Sequence, residues 1–173
     1  IEERRIAEAT RLENEKRLAG NLAITQILAE APKFSEATGR ILSTVGETLN
    51  WEVGALWLID EESDRLKPRD FWHAANVHVD RFESASREQN FLIGVGLPGR
   101  VWQSRQPVWI ADVTEDDNFP RASTALADGL RSAFGFPIFF NDEFFGICEF
   151  FSREIRKPDD ALLAMFQSVG TQV

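Results

Sequence analysis

The chain of 173 residues has no tyrosine, one methionine, two histidines and a single cysteine. One cysteine excludes an internal disulfide, which fits a reducing compartment. It also excludes a thiol cycle that needs several cysteines. Two histidines, His73 and His78, stand five positions apart, so a helix would not align them, and no second cysteine or acidic cluster completes a metal set around them. Basic charge is scarce as well: Lys and Arg number 19 against 28 Asp and Glu, a formal net charge of −9. Nucleic-acid partners require clustered Lys and Arg, so that class is not expected. No apolar run approaches the roughly 20 residues needed to cross a bilayer, and no signal peptide is visible. No membrane contact by this segment is expected, and the expected location is cytoplasmic, although targeting segments could lie outside it. The chain opens at Ile1 and closes inside a helical pattern at Val173, so it is expected to be an excised segment of a longer protein.

What is present is a globular composition, 43% hydrophobic and 27% charged, with fourteen Phe and five Trp. A chain of this size buries roughly two-thirds of its surface or more, and is most simply one domain with an appendage. Residues 1–30 are rich in Glu, Arg, Ala and Leu, all good helix formers. They are expected to form a linker helix. Its stripes are not clean heptads, which leaves open a solvated single helix, a dimeric coiled coil and a helix packed on the following domain.

The domain proper spans residues 31–173. The pattern predicts a helix over Ser35–Asn50 with Ile41, Leu42, Val45 and Leu49 on one face. "VGALWLID" is a buried strand, and Leu66–Trp72 a second strand despite Pro68. A short helix follows around Val79–Arg87, another opens near Leu97, "VWIADV" is a strand, and a further short helix ends at Gly129. "RSAFGFPIFF" and "FFGICEFF" form a hairpin across "NDE". Pro158 opens a last helix, with Leu162, Met165, Phe166 and Val169 on one side. Strands bunched between terminal helices imply an α+β domain on an antiparallel sheet. Both hairpin strands are apolar on both faces, so helices should cover one side and the middle segments the other.

Three stretches carry a family resemblance: "GLPGRVWQSRQPVWIADV", "DDNFPRASTALADGLRSAFGFPIF" and "FFGICEFFSREIRKPDDALLAMFQSVGTQV". Together they resemble a GAF domain of bacterial multidomain sensor histidine kinases, over about residues 34–173. The resemblance implies a PAS-related, six-stranded antiparallel sheet. Terminal helices on one face would pair with a partner's in a parallel homodimer, beside other domains of the same chain. Loops and short helices would roof a small-molecule pocket on the other face. It implies a sensory and regulatory role in signal transduction, with no enzyme activity in the domain itself. A ligand-free spacer and dimerisation module is the alternative, and a noncovalent heme or chromophore sensor a third reading.

Candidate groups divide accordingly. Phe71, Phe82, Trp109, Phe119 and Phe136 offer apolar walls for a pocket, and Asp112 or Arg121 a polar anchor; His73 could face a heme. Asp112, Asp116 and Asp117 read more simply as turn and cap residues than as a metal site, so no metal is expected. Cys148 falls on a strand face with Phe144, Gly146 and Phe150, a core position, while Ile147, Glu149 and Phe151 face the other way. No catalytic residues are expected. Bilin-binding relatives carry an attachment cysteine, often followed by His, in the helix before the final hairpin; "RASTALADGLRS" has neither. No covalent bilin and no other cofactor is expected.

Overall fold

A computed structural model describes residues 34–170, with the side chains of 34–38 and 168–170 left aside. The expected linker helix over 1–30 lies outside the described residues. In chain order the elements are α1 (Phe34–Leu49), β1 (Val53–Asp60), β2 (Arg65–His73), α2 (Asp80–Glu88), α3 (Gly96–Ser104), β3 (Val108–Ile110), α4 (Ala122–Ala127), β4 (Ser132–Phe140), β5 (Glu143–Ser152) and α5 (Asp160–Gly170). The strands form one antiparallel sheet in the order β2-β1-β5-β4-β3. Five strands stand among the described residues where six were expected.

The sheet is central because β1, β4 and β5 are apolar on both faces. One face packs on the terminal helices. Ile41, Leu42 and Val45 of α1 and Leu162 and Phe166 of α5 meet Leu56, Phe134, Phe136, Cys148 and Phe150. Phe166 stacks on Phe136 with centroids 4.4 Å apart. Asp159 caps α5 by accepting the Leu162 N–H at 3.0 Å. The other face carries Val53, Ala55, Trp57, Ile147 and Phe151 under Phe82 of α2 and Leu97 and Val101 of α3. Gly135 suits that close roof: a Cβ there would stand in tight contact 3.2 Å from Val101 and 3.4 Å from Leu97. Gly96 opens α3 at φ +65°, a conformation that glycine adopts without the strain of a side chain.

Two β-bulges set which residues face which side. On β2 the register steps from Leu56↔Asp70 to Trp57↔Pro68, leaving Arg69 unpaired beside the proline. Pro68 therefore sits at a bulge on an edge strand, where its missing N–H is tolerated. Pro137 lies past the end of β3, where β4 has a neighbour on the β5 side alone. On β5 the register steps from Ile138↔Gly146 to Phe139↔Phe144, and Phe145 is the extra residue. This corrects one expectation. Phe144 does not share the Cys148 face; the bulge turns it to the opposite side, where it stacks on Trp102 with centroids 6.1 Å apart. The hairpin turn uses Asn141 at φ 51° and Asp142 at φ 65°, the left-handed pair of a type I′ turn.

Cys148 is fully buried on the helix-packed face, opposite Leu56 and Phe136. Burial pushes its thiol up, and the adjacent Glu149 charge adds to the shift. In the native protein Cys148 should resist a thiol reagent at pH 8 and react only on unfolding, at the rate of global opening. Cys148→Ala should cost about 1–2 kcal/mol in urea titration. Fast stoichiometric labelling of the folded chain would contradict this packing.

Candidate functional site

Beneath α2, α3 and α4 the sheet carries a charge. Glu149 lies mid-β5, directly beside Ala55 on β1 and Gly135 on β4. These small neighbours leave space above it. Arg121, at the N-terminus of α4, extends into that space. Its Nη1 donates to Glu149 Oε1 at 2.7 Å and its Nη2 to Oε2 at 2.9 Å, a bidentate pair. The two side chains are 2% and 0% exposed. Trp57 Nε1 donates to Glu149 Oε1 at 2.8 Å, and Arg121 Nη1 also donates to Ser86 Oγ at 3.1 Å.

Rings enclose the guanidinium. Its carbon stands 5.3 Å from the Trp57 centroid, 5.0 Å from Phe82, 5.1 Å from Phe91, 5.0 Å from Phe119 and 5.5 Å from Phe151. Ring faces attract a cation, more so where water is excluded. One donor is left over: Arg121 Nε is buried with no hydrogen-bond partner. An unmade buried bond of this kind costs about 1–3 kcal/mol.

Neighbouring polar contacts hold the roof in place. Asp128, at the end of α4, accepts the Phe82 N–H of the first turn of α2 at 2.7 Å and so ties the two helices. Asn118 receives the Gly96 N–H at 2.9 Å and donates to Gly94 O at 3.0 Å, fixing the start of α3. Asp112 accepts from Arg131 Nη2 at 2.7 Å and from Thr114 Oγ1 at 2.6 Å. The Arg131 hydrogen bond, with Thr114 beside it, pulls the Asp112 carboxyl down to about 2. Asp116 accepts from Asn118 N at 2.9 Å and from Arg100 at 3.0 Å. These acids therefore organise a turn, and among the described residues no group of three or more His, Cys, Asp or Glu is placed to hold a metal.

The sequence-predicted residues separate into three groups. Phe82, Phe119 and Arg121 meet in the chamber, with Phe71 at its edge, 6.3 Å from Phe82 between centroids. Trp109 and Phe136 lie across the sheet, against the terminal-helix core, where Trp109 stacks on Phe134. The reason is strand alternation: Phe136 pairs with Cys148 and shares its side. His73 is exposed, its Nδ1 2.9 Å from Ala74 O, and Asp112 is engaged by Arg131 outside the chamber. Sequence reasoning missed Glu149, Trp57, Ser86 and Phe91. Glu149 carried a signal, since a lone carboxylate inside "FFGICEFF" is buried on either face and must have a partner.

Removing one partner of a buried pair strands the other's charge. Glu149→Gln should therefore destabilise by about 3–5 kcal/mol in urea unfolding. Arg121→Met with Glu149→Leu should recover most of that loss, and a double-mutant cycle measures the coupling. Asp112 gives a separate pH signature. Its folded value lies below the ordinary carboxyl value of about 4, so its contribution is full above that pH and fades as pH falls toward about 2. Asp112→Asn should lower Tm by a few degrees at neutral pH and leave little difference from wild type near pH 2.

Comparison with known proteins agrees with this geometry. No curated protein matches the chain in sequence. Among solved structures, the GAF domain of a phosphoenolpyruvate-protein phosphotransferase from Coxiella burnetii is similar at 18% identity and TM-score 0.72, covering 91% of this chain and 89% of that one. A domain of a two-component sensor histidine kinase from Sinorhizobium meliloti is similar at 12% identity and TM-score 0.58, covering 82% and 88%. The free methionine-R-sulfoxide reductase of Neisseria meningitidis, solved with its substrate, is similar at 17% identity and TM-score 0.67, covering 86% and 80%. That last likeness corrects the expectation that the domain is not an enzyme: this fold hosts catalysis as well as sensing, so the architecture does not exclude activity. The GAF domain family model matches residues 33–173, and with its two-faced sheet and roofed chamber the chain belongs to the GAF domain family.

Proposed function

We propose that this domain is a sensory and regulatory module of a bacterial sensor histidine kinase. In this reading it acts in the cytoplasm as a parallel homodimer through its terminal helices, beside other domains of the same chain. It needs no resident cofactor and contacts neither nucleic acid nor membrane. One observation carries the reading. Along β5, Glu149 and Phe151 face the chamber while Cys148 and Phe150 face α1 and α5. A change in the chamber is therefore one residue from the surface that holds the terminal helices. Signalling then takes the form of a population shift between two arrangements of sheet and helices, and a coupling of about 1–3 kcal/mol suffices. No helix among the described residues is long and apolar enough to cross a membrane.

A spacer without a ligand is the second reading. Its support is the filling of the chamber: Trp57, Phe82, Phe91, Phe119 and Phe151 are all at most 4% exposed. A thermal-shift screen of the full chain against amino acids, oxo-acids, amines and guanidines, cyclic nucleotides, heme and biliverdin separates the two. A saturable rise in Tm with one class is expected for a sensor, and no response from any class favours the spacer. Light scattering should give the mass of a dimer; a monomer at high concentration removes the dimer from the proposal.

A further inference from the structure

The chamber holds a cation already, and that cation belongs to the protein. Five ring centroids lie 5.0–5.5 Å from the guanidinium carbon of Arg121. The Glu149 carboxylate closes one side with two parallel hydrogen bonds. Aromatic faces around a carboxylate recognise a compact organic cation. Glu149 is 0% exposed, so it cannot be left unpaired without a large penalty. Any occupant that replaces Arg121 must carry positive charge and present N–H donors along one edge. An anion would meet a buried negative charge at contact distance.

Arg121 is an imperfect occupant, because its Nε makes no hydrogen bond inside the cage. It enters from the N-terminus of α4, a helix of six residues, where no side chain caps the first turn. Its backbone stands at the N-cap of α4, outside every strand pairing of the sheet. At the other end of α4, Asp128 accepts the Phe82 N–H and links the helix to the first turn of α2.

We propose that the cage of Trp57, Phe82, Phe91, Phe119 and Phe151 with Glu149 is a binding site for a small guanidinium or amidinium compound. Arg121 is its tethered internal occupant, which such a ligand displaces. This rests on the sensory reading above and names the ligand class of that site. Exchange of one cation for another keeps Glu149 paired, so no buried charge is stranded. The tethered guanidinium competes with the ligand, and the apparent affinity of the native chain is reduced by the fraction of cages that Arg121 vacates.

The Trp57 indole N–H donates directly to Glu149, so its nitrogen-15 resonance reports on the cage. The full chain is titrated with millimolar N-methylguanidinium, with urea as neutral isostere and acetate as anion. The proposal expects a saturable shift of that resonance in the native protein and at least tenfold tighter binding in Arg121→Ala, with no response to urea or acetate. If Arg121→Ala does not fold alone, recovery of its native spectrum in N-methylguanidinium but not in urea supports the proposal, and failure to recover overturns it. Equal shifts with urea overturn it also. Native-state binding of an amino acid or oxo-acid without any response to N-methylguanidinium removes the cation class and leaves the sensory reading standing. Binding of N-methylguanidinium by Arg121→Ala alone, with the native chain silent to every compound class, removes both.

Discussion

Arg121 and Glu149 stand 28 residues apart in sequence, on different elements, and meet as a bidentate pair almost wholly out of water. Much of the roof follows from that meeting. Desolvating two charges is expensive, and the cost is offset only when geometry is good and the remaining lone pairs and donors find partners. Trp57 and Ser86 supply such partners, and the surrounding rings supply the rest through their faces. The pair thereby ties the start of α4 to β5 and, through Ser86, to α2. The one unmet donor, Arg121 Nε, marks where the solution is incomplete.

The opposite face obeys simpler physics. Phe134, Phe136, Phe150 and Phe166 form a run of stacked and tilted rings between sheet and α5, closed by α1 through Ile41, Leu42 and Val45. Among the described residues no charge is buried there, and the cysteine serves as one more apolar side chain, its thiol held protonated by burial. The sheet thus separates a dry apolar layer from a layer with a polar centre. β5 belongs to both, which gives a chemical event in the chamber a short mechanical route to the helices. Family membership is consistent with regulation of this kind, while the reductase on the same fold shows that the architecture alone does not fix a role.

Amino-acid order by itself determined the elements. Apolar periodicity located both terminal helices and the long strands, and "NDE" located the hairpin, because those signals act over a few residues. Order along the chain also placed the terminal helices on one face, since both hairpin strands need cover on two sides. What it left undecided depends on register. The bulge at Phe145 turned Phe144 away from Cys148, and strand pairing put Phe136 and Trp109 on the helix face instead of in the chamber. A one-residue slip reverses a side chain's face, and no local pattern in the chain records it. Tertiary structure alone decided that Arg121 and Glu149 share a site. The sequence showed a carboxylate in an apolar strand and an arginine after Phe119-Pro120, but only folding brings them within hydrogen-bond reach, because a buried charge is satisfied by whatever the fold carries to it.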